Sequence, residues 1–183
     1  MTNTIADHEI ILGGIKPEYK IDDKEYFINF FSSDRYQRIG QFEPSERYPH
    51  GATTHGSTTI KHYPERNGWE AMIEDHKFHT QNSHHTYQMP RKLFFPHFID
   101  KDGFGHTTLT SNFGTHMQGV VTHSTKNELS ILMHGNNEHN GICWVKFHCK
   151  KDNNGCITAE VSSCNDHTSE WELMQTLELK PIS

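Results

Sequence analysis

A chain of 183 residues with 33% hydrophobic and 22% charged residues reads as one domain, 1–183, large enough to bury a core. Its formal charge of −6 carries no basic footprint, which argues against nucleic acid as a partner. No apolar stretch approaches the ~20 residues of a membrane-spanning helix, and the first residues, MTNTIADHEIILGG, lack the basic n-region and long apolar core of a signal peptide, so a cytoplasmic setting is expected.

In chain order, the first segment with a readable pattern is DDKEYFINFFSSDRYQRIG, 22–40, which admits a minor N-terminal helix capped by Asp22 or Asp23 or a strand rich in aromatics, with the helix favoured. HYPERNGWEAMIEDHKFH, 62–79, admits a hairpin closed by Asn67-Gly68 or a helix with Trp69, Met72, Ile73 and His76 at helical spacing. The β context favours the hairpin. Glu70, Glu74 and Asp75 read as a solvated face. QNSHHTYQMP, 81–90, is predicted to be a loop ended by Pro90.

The second half is a run of short β-branched and aromatic segments with turn signals between them. RKLFFPHFI (91–99) is followed by FGHTTLTSNF (104–113), MQGVVTHS (117–124) and LSILMH (129–134). ICWVKFHCK (142–150) turns at Asn154-Gly155 into CITAEVSSC (156–164), and EWELMQTLELK (170–180) follows. In that last segment Trp171, Leu173, Leu177 and Leu179 share a face with Gln175, which marks a strand with one buried side.

Eight or more hairpin-joined strands predict an all-β, mainly antiparallel fold. An up-and-down, calycin-like β-barrel is favoured and a β-sandwich or jelly roll is the alternative. The GxW signature of the lipocalins is absent, so "calycin-like" describes a shape. Cys143, Cys149, Cys156 and Cys164 are separated by five, six and seven residues, which fits no CxxC pattern. They read as reduced structural thiols, Cys143 and Cys149 on one strand face and Cys156 and Cys164 on the polar face of the next.

Sixteen histidines set the functional question. Strand phase puts His123 with Met117, Gly119 and Val121; His106 with Phe104, Thr108 and Thr110; and His97 with Leu93, Phe95 and Ile99. If those faces turn inward, His97, His106 and His123 converge as acid–base catalysts on a small-molecule pocket, with Gly119 leaving space. Thr108, Thr110, Gln175 and Trp171 would then bind substrate. The expected function is a small-molecule-binding barrel, leaning towards an acid–base isomerase, cyclase or lyase with no cofactor. The alternative is a non-catalytic carrier of a small apolar ligand.

A His-bound metal stays open as a further alternative: His76 and His79 form HxxH, and His134 and His139 flank GNNE, yet HxxH is poor strand spacing and HExxH is missing. His55-Gly56-Ser57, His106-Thr107-Thr108 and His123-Ser124-Thr125 resemble the HxT motifs of the two-histidine phosphoesterases, but the meander argues against that fold. Oligomeric state is not legible.

Overall fold

The computed structural model describes residues 30–66, 68–99, 105–138, 140–165 and 170–182, with side chains described at all of these except 66 and 83–99. Ten strands follow one another: β1 (Arg35–Phe42), β2 (Ala52–Tyr63), β3 (Gly68–Thr80), β4 (Ser83–Ile99), β5 (Gly105–Ser111), β6 (His116–Ser124), β7 (Glu128–Asn137), β8 (Gly141–Lys151), β9 (Ile157–Cys164) and β10 (Glu172–Pro181). Each pairs antiparallel with the next, and β10 returns to β1 through Tyr36↔Pro181 to Phe42↔Gln175, so the sheet closes on itself. The result is a barrel and not a sandwich. Closure leaves no row of unpaired strand-edge amides.

Two sequence expectations change. Arg35 to Gly40, read as the end of a helix, is strand β1, because Tyr36 and Arg38 alternate inward and both neighbouring strands supply ladder partners. Phe30 is helical, and positions 22–29 lie outside the described residues. The stretch 81–90 is a two-residue turn at Gln81-Asn82 followed by the start of β4, with Pro90 opposite Glu74 inside the strand. At 62–79 the hairpin forms as favoured: Tyr63 pairs with Gly68 across a 3-10 turn at Pro64–Arg66.

Alternation sorts each strand. Leu129, Ile131 and Met133 on β7 face Val145 on β8, and Ile157, Ala159 and Val161 on β9 complete that wall; all are buried. Each large side chain so placed contributes about 1.5–3 kcal/mol of burial. A smaller cluster of Val120, Trp144 and Cys164 is buried on the outer face against Leu132. Among the described residues no helix is long and apolar enough to cross a membrane.

The register shifts in five of the pairings, β2–β3, β3–β4, β4–β5, β6–β7 and β9–β10, and three of these shifts bear on the candidate site. His76 is the extra residue of β3 against β2, where His55 pairs with Lys77 but Gly56 with Asp75. Thr122 is extra in β6 against β7, and Met174 in β10 against β9. An extra residue resets which face the following side chains take.

The two ends of the barrel differ. One is stoppered: Phe30 and Tyr36 are fully buried, Phe31 packs edge-on to both rings (centroids 5.0 and 6.2 Å), and the Tyr36 hydroxyl accepts from the Ser32 and Ser33 amides at 2.9 and 3.1 Å. The β8–β9 turn closes beneath it. Asp152 Oδ1 accepts from the Asn154 and Cys156 amides, and Gly155 adopts φ +79° where a Cβ would meet Ser32 Oγ at 2.2 Å. The opposite end carries the loops at 43–51 and 112–115, with Glu138, Asn140, Asn165, Glu170 and Trp171 beside them. It is the mouth.

Candidate functional site in the barrel interior

The polar groups that meet around Arg38 come from β1, β2, β3 and β10. Along β1, Tyr36, Arg38 and Gly40 face inward and Phe42 ends the row at the mouth. Arg38 and Asp75 are 2% and 1% exposed and form an ion pair through Nη1 and Oδ1. Their meeting follows from register: both are partners of Gly56, which has no side chain to stand between them. The bulge at His76 brings β2 and β3 so close there that a Cβ on Gly56 would lie 1.8 Å from the Glu74 carbonyl oxygen.

Arg38 Nη1 also reaches Thr54 Oγ1 at 3.5 Å. Gly40 then leaves the wall open for two neighbours, since a Cβ there would meet Gln175 Nε2 at 2.5 Å and Thr54 Oγ1 at 2.6 Å. Gln175 Nε2 and the hydroxyls of Thr58 and Thr107 are buried with no hydrogen-bond partner among the described residues. Leaving such a group unsatisfied costs about 1–3 kcal/mol, which a bound acceptor would recover.

A cavity of about 50 Å³ lies beside this cluster, walled by Leu109, Val145, Phe147 and Leu177 and reaching Arg38, Gln175 and Glu138. Glu138 sits at its rim, where one carboxylate oxygen accepts from Ser111 Oγ at 2.9 Å and Thr115 Oγ1 at 3.0 Å. Phe42 and Met174 belong both to this cavity and to a groove of about 460 Å³ across the mouth, lined by residues 43–48, Asn140, Ser163 and Glu172. Phe42, Tyr48 and Phe78 cluster beside it, with centroids 5.3 to 6.5 Å apart. A small head group inside and a larger body outside is the ligand shape this pair of spaces accepts.

The inner wall holds no reactive thiol. Burial, then the charge of Cys164, pushes the Cys143 thiol up to about 11, and burial pushes Cys149 up to about 12, so both stay protonated at neutral pH.

The histidines expected to meet here do not. His106 is the register partner of Val120 and shares the outer face with it, because the inward residues of β5 are Thr107 and Leu109. Thr108 and Thr110 lie on that outer face too, half-buried. His123 faces outward because the bulge at Thr122 gives the inward position to Ser124; its ring stands 3.6 Å from the Glu128 carboxylate with 43% of the side chain exposed. Gly119 leaves no space either: a Cβ there would lie 1.9 Å from the Leu132 carbonyl oxygen, so it permits close strand approach. The His97 backbone belongs to β4, within an irregularity between Phe94 and Phe98; its side chain lies outside the described residues.

Of the expected substrate contacts, Gln175 is in the interior. Trp171 and Leu173 are 36% and 41% exposed, turned out by the bulge at Met174, and Lys146 Nζ sits 4.4 Å from the Trp171 ring centroid. His139 lies outside the described residues, and among those described no three His, Cys, Asp or Glu side chains converge as a metal site.

Sequence reasoning passed over Arg38 and Asp75. The signal was there: Asp75 continues the inward stripe Trp69, Ala71, Ile73, while Glu70 and Glu74 take the other face. Arg38 continues from Tyr36 once that segment is read as a strand. No protein-family model matches the chain, and no curated protein matches it.

Proposed function

We propose that the barrel binds a small molecule that enters at the mouth and presents a hydrogen-bond acceptor, a carbonyl or carboxylate, to Arg38 and Gln175. The observation that carries this is the buried, unpartnered Gln175 amide beside Arg38 at the end of an apolar-walled cavity. Drug-sized ligands occupy several hundred Å³. The inner cavity therefore takes only the head group, and the body lies between Phe42, Met174 and Tyr48 in the mouth groove. In shape this is a calycin-like binding barrel. A cytoplasmic setting is supported by the four free cysteines.

An acid–base activity of isomerase, cyclase or lyase type would rest on Asp75 and Glu138, the carboxylates turned towards the interior, and not on His106 or His123. No organic cofactor is required for either reading.

The test is a fluorescence titration with 1-anilinonaphthalene-8-sulfonate, whose apolar rings and anionic head match the two spaces. Wild type is expected to enhance its emission at one site, and Gln175→Met to weaken binding roughly tenfold, the worth of one buried hydrogen bond to a charged group. Equal affinity in wild type and variant sinks the proposal.

A further inference from the structure

We propose that His55, His76 and His79 form a binding site for a divalent late transition metal, zinc or copper, on the outer face of the β2–β3 hairpin. The site is independent of the interior one.

On a regular strand His76 and His79 would face opposite ways, since side chains alternate with period two. The bulge removes that obstacle. Asp75 is buried and the Phe78 ring packs on Phe42, so the inward positions are three apart across the extra residue. His79 is thereby returned to the outer face, where His55 stands on the adjacent strand, and the bulged His76 joins them. These three imidazoles, with Gln37, Gly56 and Lys77, line one surface pocket.

The rings of His55 and His79 are 5.7 Å apart between centroids and nearly perpendicular, at 86°. Two imidazoles on a tetrahedral ion with metal–nitrogen bonds of about 2.0–2.1 Å have centroids roughly 5 Å apart, so this pair needs only a small adjustment. His76 Nε2 lies 3.5 Å from Ser57 Oγ, two residues along β2 from His55 on the same face. As they stand the three rings do not converge on one point. His76 completes the set by exchanging its long contact with Ser57 for the metal, a change between staggered side-chain wells. Imidazole nitrogen selects zinc, copper and nickel over magnesium and calcium. Lys77 is exposed, and its flexible ammonium weakens the site by repulsion.

The experiment is calorimetric titration of the intact chain with zinc chloride, paired with electron paramagnetic resonance of the copper(II) form. The variants are His55→Gln, His76→Gln and His79→Gln, with His116→Gln as a control on the outer face of β6. One site per chain stronger than the background of the remaining histidines is expected. Each of the three substitutions should weaken it roughly tenfold or more, because even changes to groups behind a ligand cost 10–100-fold. His116→Gln should leave it unchanged, Lys77→Gln should tighten it, and the copper spectrum should show coupling to three nitrogens. A strongest site that persists in the triple variant, or that follows His116, overturns the proposal. So does a His76→Gln affinity equal to wild type. All three positions are partly exposed, so glutamine is compatible with the fold; a circular dichroism spectrum matching wild type checks this.

Discussion

The buried Arg38–Asp75 pair gives the sharpest test of the interior. Both side chains are essentially inaccessible, and the pair sits in a wall of Ile73, Phe147 and Leu177. Replacing Arg38 with Met leaves Asp75 as an uncompensated charge, and replacing Asp75 with Leu strands the guanidinium. Each single change is expected to cost about 3–5 kcal/mol. For a chain of this size that corresponds to a fall of roughly 6–20 °C in Tm, at about 2–4 °C per kcal/mol.

The double variant Arg38→Met/Asp75→Leu removes both desolvated charges and should recover to within about 1 kcal/mol of wild type, as buried pairs replaced by apolar residues often do. Urea unfolding at pH 7 measures all three, with equal slopes confirming that midpoints report stability. Losses below about 1 kcal/mol in both single variants would show that water reaches the pair and that the cluster is not a low-dielectric site. The restored double variant then separates architecture from function: it should fold like wild type and still bind 1-anilinonaphthalene-8-sulfonate more weakly, having lost the donor.

Other consequences are simpler to state. Gly119→Ala forces a Cβ to within 1.9 Å of the Leu132 carbonyl oxygen and should cost about 1–3 kcal/mol or more in urea unfolding, because backbone cannot move aside cheaply. Gly40→Ala pushes into Gln175 and Thr54 and should weaken dye binding by more than it lowers Tm. His123→Gln alters an exposed side chain and should stay within about 0.5 kcal/mol of wild type by the same measurement. Stability should also fall as pH rises above 9: the unfolded thiols of Cys143 and Cys149 ionise from the ordinary value of 9.0, while the folded ones hold their protons to about 11 and about 12. The unfolded state then binds fewer protons, so each thiol removes up to about 1.4 kcal/mol per pH unit within that window. Cys149→Ala should flatten the decline measured by urea unfolding from pH 8 to 11.

The meander itself was legible because its signals are local. Asn154-Gly155, the alternation of Ile157, Ala159 and Val161, and the Asn67-Gly68 hairpin each depend on neighbours within a few residues. Closure was not local. Strand β1 exists because β10 and β2 flank it, and the segment that leads into it, Phe30 to Arg38, carries aromatic spacing that suits a helix equally well. The same holds at 81–90, where polar residues and Pro90 suggest a loop but β3 supplies a long template for pairing.

Two geometric facts separate the expected site from the observed one: β5 takes the opposite phase, which puts His106, Thr108 and Thr110 outside, and one-residue bulges turn His123 and Trp171 outward. His123 and Trp171 were assigned inward by counting in twos from Val121 and from Gln175, and each count crosses an extra residue, Thr122 or Met174. Counting is reliable only as far as the ladder is regular, and nothing in the runs GVVTH (119–123) or LMQ (173–175) announces where a partner strand will fall one residue short. The bulge at His76 has the opposite effect: it brings β3 against Gly56, which lets Arg38 meet Asp75 inside and turns an HxxH pair to one face outside. The irregular rungs of this barrel, more than its composition, decide which of its many polar side chains can act together. A chain rich in histidine can therefore place its convergent interior chemistry on an arginine, a carboxylate and an amide.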